Sequence, residues 1–135
     1  MAVLLDTGIL YAYYDRRDAW HERSVDIARR DEGQLIVPAP VIPEVDHLLG
    51  RRLGPDACLV FYRGLAEGYY FVADLPRDGY ARVTDLNRQF ASLALGFVDA
   101  AIVAIGEALD LRRIATTDRR DFEPLATALS LVLVP

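Results

Sequence analysis

The sequence predicts an α/β sandwich with a mainly parallel central sheet, and three observations carry that reading. Short apolar runs alternate with longer stretches of helical periodicity. The short runs are continuously apolar, as expected of strands covered on both faces. A chain of 135 residues, 53% of them apolar, suits one domain spanning 1–135 around a single core.

The elements follow in order. Val3-Leu4-Leu5 reads as a buried strand running directly into Asp6-Thr7, either of which can cap a helix continuing through Ile9, Leu10 and Tyr13. Asp18 opens a second helical pattern, with Trp20, Val25, Ile27 and Ala28 set among charges, ending near Gly33. Leu35-Ile36-Val37 is the second strand, stopped by Pro38. Pro43 suits the first turn of a helix through Val45, Leu48 and Leu49. Gly54-Pro55 ends that helix and starts another, carrying Leu59, Val60, Tyr62 and Leu65 and closed by Gly68. Tyr69 to Val72 is rich in strand formers. Tyr80, Val83, Leu86 and Phe90 recur at helical spacing, and Asp99 to Leu109 is an Ala/Ile/Val-rich helix. Arg113-Ile114-Ala115 is a short strand and Leu131 to Val134 the last, with no helix expected between them.

Charge excludes several chemistries. The 20 acids include 14 aspartates, and all 15 cationic residues are arginine. Without lysine there is no Walker-type phosphate loop, no pyridoxal Schiff base and no lysine general base. The single cysteine, Cys58, rules out an intramolecular disulfide and a Cys-rich zinc site, and it reads as a small core residue in a reducing compartment. His21 and His47 read as surface residues, with no second histidine at metal-ligand spacing. The residues before Asp6 leave no room for a secretory leader, and the longest uncharged stretch, 124–135, falls short of the ~20 residues of a membrane helix. A cytoplasmic protein with no membrane partner is expected. Net charge of −5 speaks against a generic electrostatic nucleic-acid binder, though not against local arginine patches.

Four carboxylates stand out by position. Asp6 follows the first strand and Asp118 follows the Arg113–Ala115 strand, so both project beyond the carboxyl ends of a parallel sheet, where ligands bind. At ~100° of rotation per residue, Glu44 falls beside Val41, Val45 and Leu48, and Asp99 beside Ile102, Val103 and Gly106, on stripes that should face the core. Asp46 points away from its helix's apolar stripe and reads as solvated. One acid on an apolar stripe could be a structural ion pair. Four on one sheet edge are different, because two carboxylates ~4 Å apart repel by roughly 4 kcal/mol at an effective dielectric near 20. Such a cluster protonates or recruits a divalent cation, and an oxygen-only donor set suits Mg²⁺ or Mn²⁺ and phosphoryl chemistry.

These same residues carry a resemblance. Val3-Leu4-Leu5-Asp6-Thr7-Gly8, Val41-Ile42-Pro43-Glu44-Val45, the stretch from Gly96 to Ala104 around Asp99, and Thr116-Thr117-Asp118-Arg119-Arg120-Asp121-Phe122 resemble the four signature regions of PIN-domain nucleases, most closely the VapC-type toxins of toxin–antitoxin pairs. The resemblance covers the whole chain and implies a PIN-like three-layer α/β/α sandwich. It further implies a metal-dependent endoribonuclease that cuts structured RNA such as tRNA or ribosomal RNA, inhibited by a small antitoxin protein and forming a homodimer. By that resemblance Asp6 and Asp99 are the principal metal ligands and Glu44 and Asp118 complete the acidic pocket. Thr7 and Thr116 orient carboxylates or water, and Asp121 is a peripheral acid. Gly8 departs from the pattern, since the family more often has a small hydroxyl residue there.

Arg119 and Arg120 adjoin Asp118 and are candidates for holding RNA phosphates. Tyr11, Tyr14 and Trp20 are candidates for the wall of an antitoxin groove, with Tyr13 facing inward. Two alternatives remain at this level. One is a non-catalytic PIN-like module binding RNA or protein. The other is an aspartic-protease-like dimer, suggested by Asp6-Thr7-Gly8 but opposed by the helical character of the rest of the chain.

Overall fold

The structure is a computed structural model describing residues 1–135. Five strands, β1 (Val3–Leu5), β2 (Leu35–Pro38), β3 (Phe71–Ala73), β4 (Arg113–Ala115) and β5 (Val132–Val134), form one sheet in the order β3-β2-β1-β4-β5. Every pairing is parallel, with Leu4 opposite both Ile36 and Ile114. The strands are as short as the sequence predicts; β1 and β2 are buried throughout, whereas the edge strands β3 and β5 expose Phe71, Val72 and Val132.

Seven α-helices connect them: α1 (Thr7–Tyr14), α2 (His21–Arg30), α3 (Ile42–Arg52), α4 (Pro55–Ala66), α5 (Gly79–Gln89), α6 (Gly96–Ala108) and α7 (Arg119–Leu129). From β1 the chain steps outward through β2 to β3, then returns past β1 to β4 and β5. Right-handed crossovers in opposite directions place helices on opposite faces. Two adjacent residues of β1 show the result. Leu5 lines a small apolar cavity with Ile9, Leu10 and Ile27 of α1 and α2, whereas the side chain of Leu4 lies against α6. It can do so because residue 106 is glycine: a Cβ there would stand 2.9 Å from Leu4 Cδ1 and from the Leu111 carbonyl oxygen. Thirty buried residues from both layers make one continuous core. No helix is long and apolar enough to cross a membrane.

Two expectations need correcting. Helix α7 was not anticipated; it buries Phe122 and Leu125 and accommodates Pro124 in its interior. The all-parallel helical sandwich also does not match the almost wholly β fold that the protease alternative requires. The boundary between α3 and α4 follows from Gly54, whose φ of 101° is a conformation few side chains tolerate, placed directly before Pro55 at the start of α4.

Candidate functional site

The sheet reverses direction of travel at β1 and β4, and the loops leaving these two strands define the crevice where open α/β sheets bind ligands. Asp6 leaves β1 and caps α1. Its Oδ1 accepts the Thr7 backbone N–H at 2.7 Å and its Oδ2 accepts the Thr116 hydroxyl at 2.8 Å. Thr116 is fully buried at the end of β4, and its Oγ1 also accepts the Asp118 backbone N–H at 2.9 Å. One buried threonine thus couples the two strand ends. Thr7 performs the same service toward α3, donating its hydroxyl to Glu44 Oε1 at 2.6 Å.

Glu44 is exposed, which corrects its assignment to the buried stripe. Helix α3 is preceded by a 3₁₀ turn over Ala39–Val41, so Glu44 stands in the first turn at the rim of the sheet, while Val41, Val45 and Leu49 take the buried line. Asp99 occupies the corresponding place on α6, in its first turn and half-buried, above buried Ile102 and Val103. Asp118 caps α7, accepting the Asp121 N–H at 3.3 Å.

Electrostatics shows that these acids share one field. Burial, followed by the negative charges of Asp6, Asp121, Asp118 and Glu44, pushes the Asp99 carboxyl up to about 7. Burial also raises Asp6, outweighing the stabilising bonds from Thr116 and Thr7, with Glu44 and Asp118 adding to the rise. Asp121 is raised by its hydrogen bond to Asp118 and by that neighbour's charge. Asp121 therefore takes part in the same cluster. No three Asp, Glu, His or Cys side chains stand close enough together to share an ion in these rotamers. The donor set nevertheless fits a hard divalent cation: it is all oxygen, mutually repelling, and without a cationic side chain among the groups that set Asp99.

The two arginines differ. Arg119 is committed elsewhere, donating to the Pro135 carbonyl at 2.6 Å and lying 3.6 Å from Glu123. Arg120 is exposed, and its charge is felt by Asp121.

The aromatic candidates also separate. Tyr11 is buried, with its hydroxyl on Asp15 and the Arg52 guanidinium 5.0 Å from its ring, so it cannot line a groove. Tyr14 packs on Phe61 and shares a 2.6 Å hydrogen bond with Tyr70, and burial pushes its hydroxyl up to about 12. Trp20 is half-buried beneath Arg23. Tyr13 packs against the core as expected, and its partly exposed side also lines an open cleft of about 380 Å³ with Tyr69, Arg16, His21 and Arg29. Periodicity missed this because Tyr69 reads as strand and lies just before it. Asp46 is likewise not merely solvated, since it accepts the Tyr62 hydroxyl. His21 is tied by Nδ1 to the Ala12 carbonyl at 2.7 Å, and Cys58 is buried as expected.

A parallel sheet with carboxylates gathered at its switch point defines a class of acidic-site α/β/α domains suited to oxygen-ligated cations. More narrowly, the chain belongs to the PIN domain family, whose profile matches residues 3–127. It is 29% identical over 123 residues to Ribonuclease VapC26 of Mycobacterium tuberculosis (strain ATCC 25618 / H37Rv), covering 91% of each chain. Among solved structures it is similar to Mycobacterium tuberculosis VapC20, described as a sarcin-ricin loop cleaving toxin. That match has a TM-score of 0.84 and 18% identity, over 99% of this chain and all of that one. It also resembles a toxin-antitoxin complex from Klebsiella pneumoniae, with a TM-score of 0.76 and 17% identity over 99% and 97% of the two chains.

Proposed function

We propose that this protein is a metal-dependent endoribonuclease, the toxin of a toxin–antitoxin pair, acting on structured RNA such as tRNA or ribosomal RNA. The observation that carries the proposal is Asp99, held near neutrality by burial and four surrounding acids with no arginine among them. A purely structural carboxylate in that position would be expected to have a cationic partner. The relatives named as a ribonuclease and as a sarcin-ricin loop cleaving toxin support the choice of substrate.

In this reading Asp6 and Asp99 hold Mg²⁺ or Mn²⁺, with Glu44 and Asp118 completing the pocket and Asp121 adding negative field. The bound cation supplies Lewis-acid polarisation of a phosphate oxygen and lowers the pKa of water. The chain's own work is positional. Thr7 N–H and Thr116 Oγ1 each hold one oxygen of Asp6, and Thr7 Oγ1 holds Glu44 Oε1. Asp99 must give up its proton to become a ligand, so cation affinity rises with pH through about 7. Arg120 faces the phosphates. A small antitoxin is the expected partner, seated in the cleft lined by Tyr13, Tyr69, Arg16 and Arg29, where aromatic faces and guanidinium groups suit an amphipathic segment with acidic residues. A homodimer is the expected assembly.

The test is cleavage of total and defined RNAs in Mg²⁺, Mn²⁺ and EDTA, alongside a folded Asp99→Asn variant. Cleavage should require the cation and vanish in the variant. A folded Asp99→Asn protein that cuts as well as the parent would overturn the proposal.

A further inference from the structure

Three threonines line the loops leaving β1 and β4, and their hydroxyls have unequal freedom. Each hydroxyl has one proton to donate. Thr7 gives its proton to Glu44 and Thr116 gives its own to Asp6. The hydrogen bonds of the β4–α7 loop run from Thr116 to Asp6, from the Asp118 N–H to Thr116 and from the Asp121 N–H to Asp118. None uses the hydroxyl of Thr117. Thr117 is half-buried, so it is neither packed away nor fully solvated.

Its position is set by Gly8. The Thr117 Oγ1 stands well inside contact distance of the point where a Cβ on residue 8 would sit, with Thr117 Cβ at 3.3 Å and Cγ2 at 3.5 Å from that point. Only a rotamer that turns Hβ toward residue 8 would clear that point, and it would carry the hydroxyl elsewhere. Any side chain at 8 therefore displaces this hydroxyl, and the absence of one lets it lie over the first turn of α1, two residues from Asp6 and one from Asp118. An anionic substrate entering a cluster of acids needs donors. Of the three threonine hydroxyls here, two are spent on carboxylates and one is uncommitted.

We infer that Thr117 is a substrate-contacting catalytic residue, donating its hydroxyl to an oxygen of the RNA phosphate being cut, and that Gly8 is glycine to admit it. The inference rests on the ribonuclease reading above and names a residue of that same site.

The test moves the hydroxyl from one branch to the other. A hydrogen bond to a charged acceptor is worth about a tenfold to hundredfold effect. Thr117→Val, which keeps the shape and removes the donor, should therefore lower kcat/KM on a defined oligoribonucleotide at least about tenfold with Tm unchanged, while Thr117→Ser stays within about threefold of the parent. Gly8→Ser alone should be impaired by collision with Thr117. Gly8→Ser combined with Thr117→Ala places a hydroxyl back in the same space and should recover activity relative to Gly8→Ser. In the cleavage-dead Asp99→Asn background, Thr117→Val should weaken binding of the same oligoribonucleotide several-fold. Cleavage by Thr117→Val within twofold of the parent would overturn the inference while leaving the ribonuclease reading intact. A parent no more active than Asp99→Asn would instead remove the reading on which the inference stands.

Discussion

Strand β4 begins at Arg113, whose guanidinium meets the buried carboxylate of Asp31 at 3.2 Å, and ends in the loop to Asp118, where acids face acids. The two ends of one strand thus treat buried negative charge in opposite ways. At the first, Arg113 gives Nη1 to the Met1 carbonyl and Nη2 to Asp31 Oδ2, tying the N-terminus, the end of α2 and β4 together. At the second, Asp6 is as buried as many core residues and receives only neutral donors. The fold provides an arginine for one buried aspartate and none for the other, so the second is neutralised by a proton or, in the proposed function, by a bound cation. Burial alone therefore does not set an acid's protonation; burial without a cationic partner raises Asp6 and Asp99.

Exchanging the acids at the two ends gives the largest contrast. Asp6→Asn keeps the side chain's shape and one of its two acceptor oxygens but removes the charge, and it should reduce cation-dependent RNA cleavage by about three orders of magnitude or more. Asp31→Asn should leave cleavage per folded molecule unchanged. Equal losses in gel-based cleavage assays normalised to folded protein would break the distinction between the two edges.

Next in size is the opposite manipulation. Arg113→Ala strands Asp31 with only the more distant Arg30 at 3.7 Å. Removing one partner of a buried pair costs about 3 kcal/mol, which for a chain of this length is a drop of about 10 °C in Tm. Chemical denaturation should show the loss with an unchanged m-value. A variant as stable as the parent would make this ion pair as inconsequential as a surface one.

The unpaired edge should show the reverse sign. Asp99 binds its proton more tightly folded than unfolded, because its carboxyl is raised from 3.8 to about 7. The folded state then holds more protons than the unfolded one between those values, so stability of the cation-free protein rises as pH falls from about 7 toward 4. Asp6 is shifted in the same direction. In EDTA, Asp99→Asn should melt a few degrees above the parent at pH 8, with the gap closing near pH 4. Adding Mn²⁺ should raise the parent's Tm at neutral pH and leave the variant's little changed. A parent whose cation-free Tm rises with pH across this window would contradict the geometry at Asp99.

Which of these features the sequence disclosed depends on their range. The strand runs, the capping of α1 by Asp6 and the four acids were legible because each is a local pattern. Helix α7 was not, because Pro124 sits within it. The proline sacrifices only the bond to the Arg120 carbonyl near the exposed start of the helix, and the spacing of Phe122, Leu125 and Leu129 was the signal to follow. Glu44 was placed too deep because wheel geometry knows nothing of the sheet rim where α3 begins. Tyr11 departs from expectation for a related reason: it turns toward Asp15 and Arg52, a contact between α1 and the end of α3 that no local pattern reports.

Arg119 and Arg120 are identical and adjacent in sequence, so the smallest effect is also the most discriminating. Arg119 spends its guanidinium on the Pro135 carbonyl and on Glu123, whereas Arg120 is exposed beside Asp121. If the acidic edge is a phosphate site, Arg120→Ala should weaken RNA binding by several-fold and reduce the slope of log affinity against log salt by about one. Arg119→Ala should leave that slope unchanged and loosen the C-terminal strand instead, visible as faster amide exchange at Val132 to Val134. Equal salt slopes in the two variants would mean that the arginines act as a diffuse field. Unequal ones would show that Arg120, and not its neighbour Arg119, is the fixed side-chain cation that meets phosphate beside the acids.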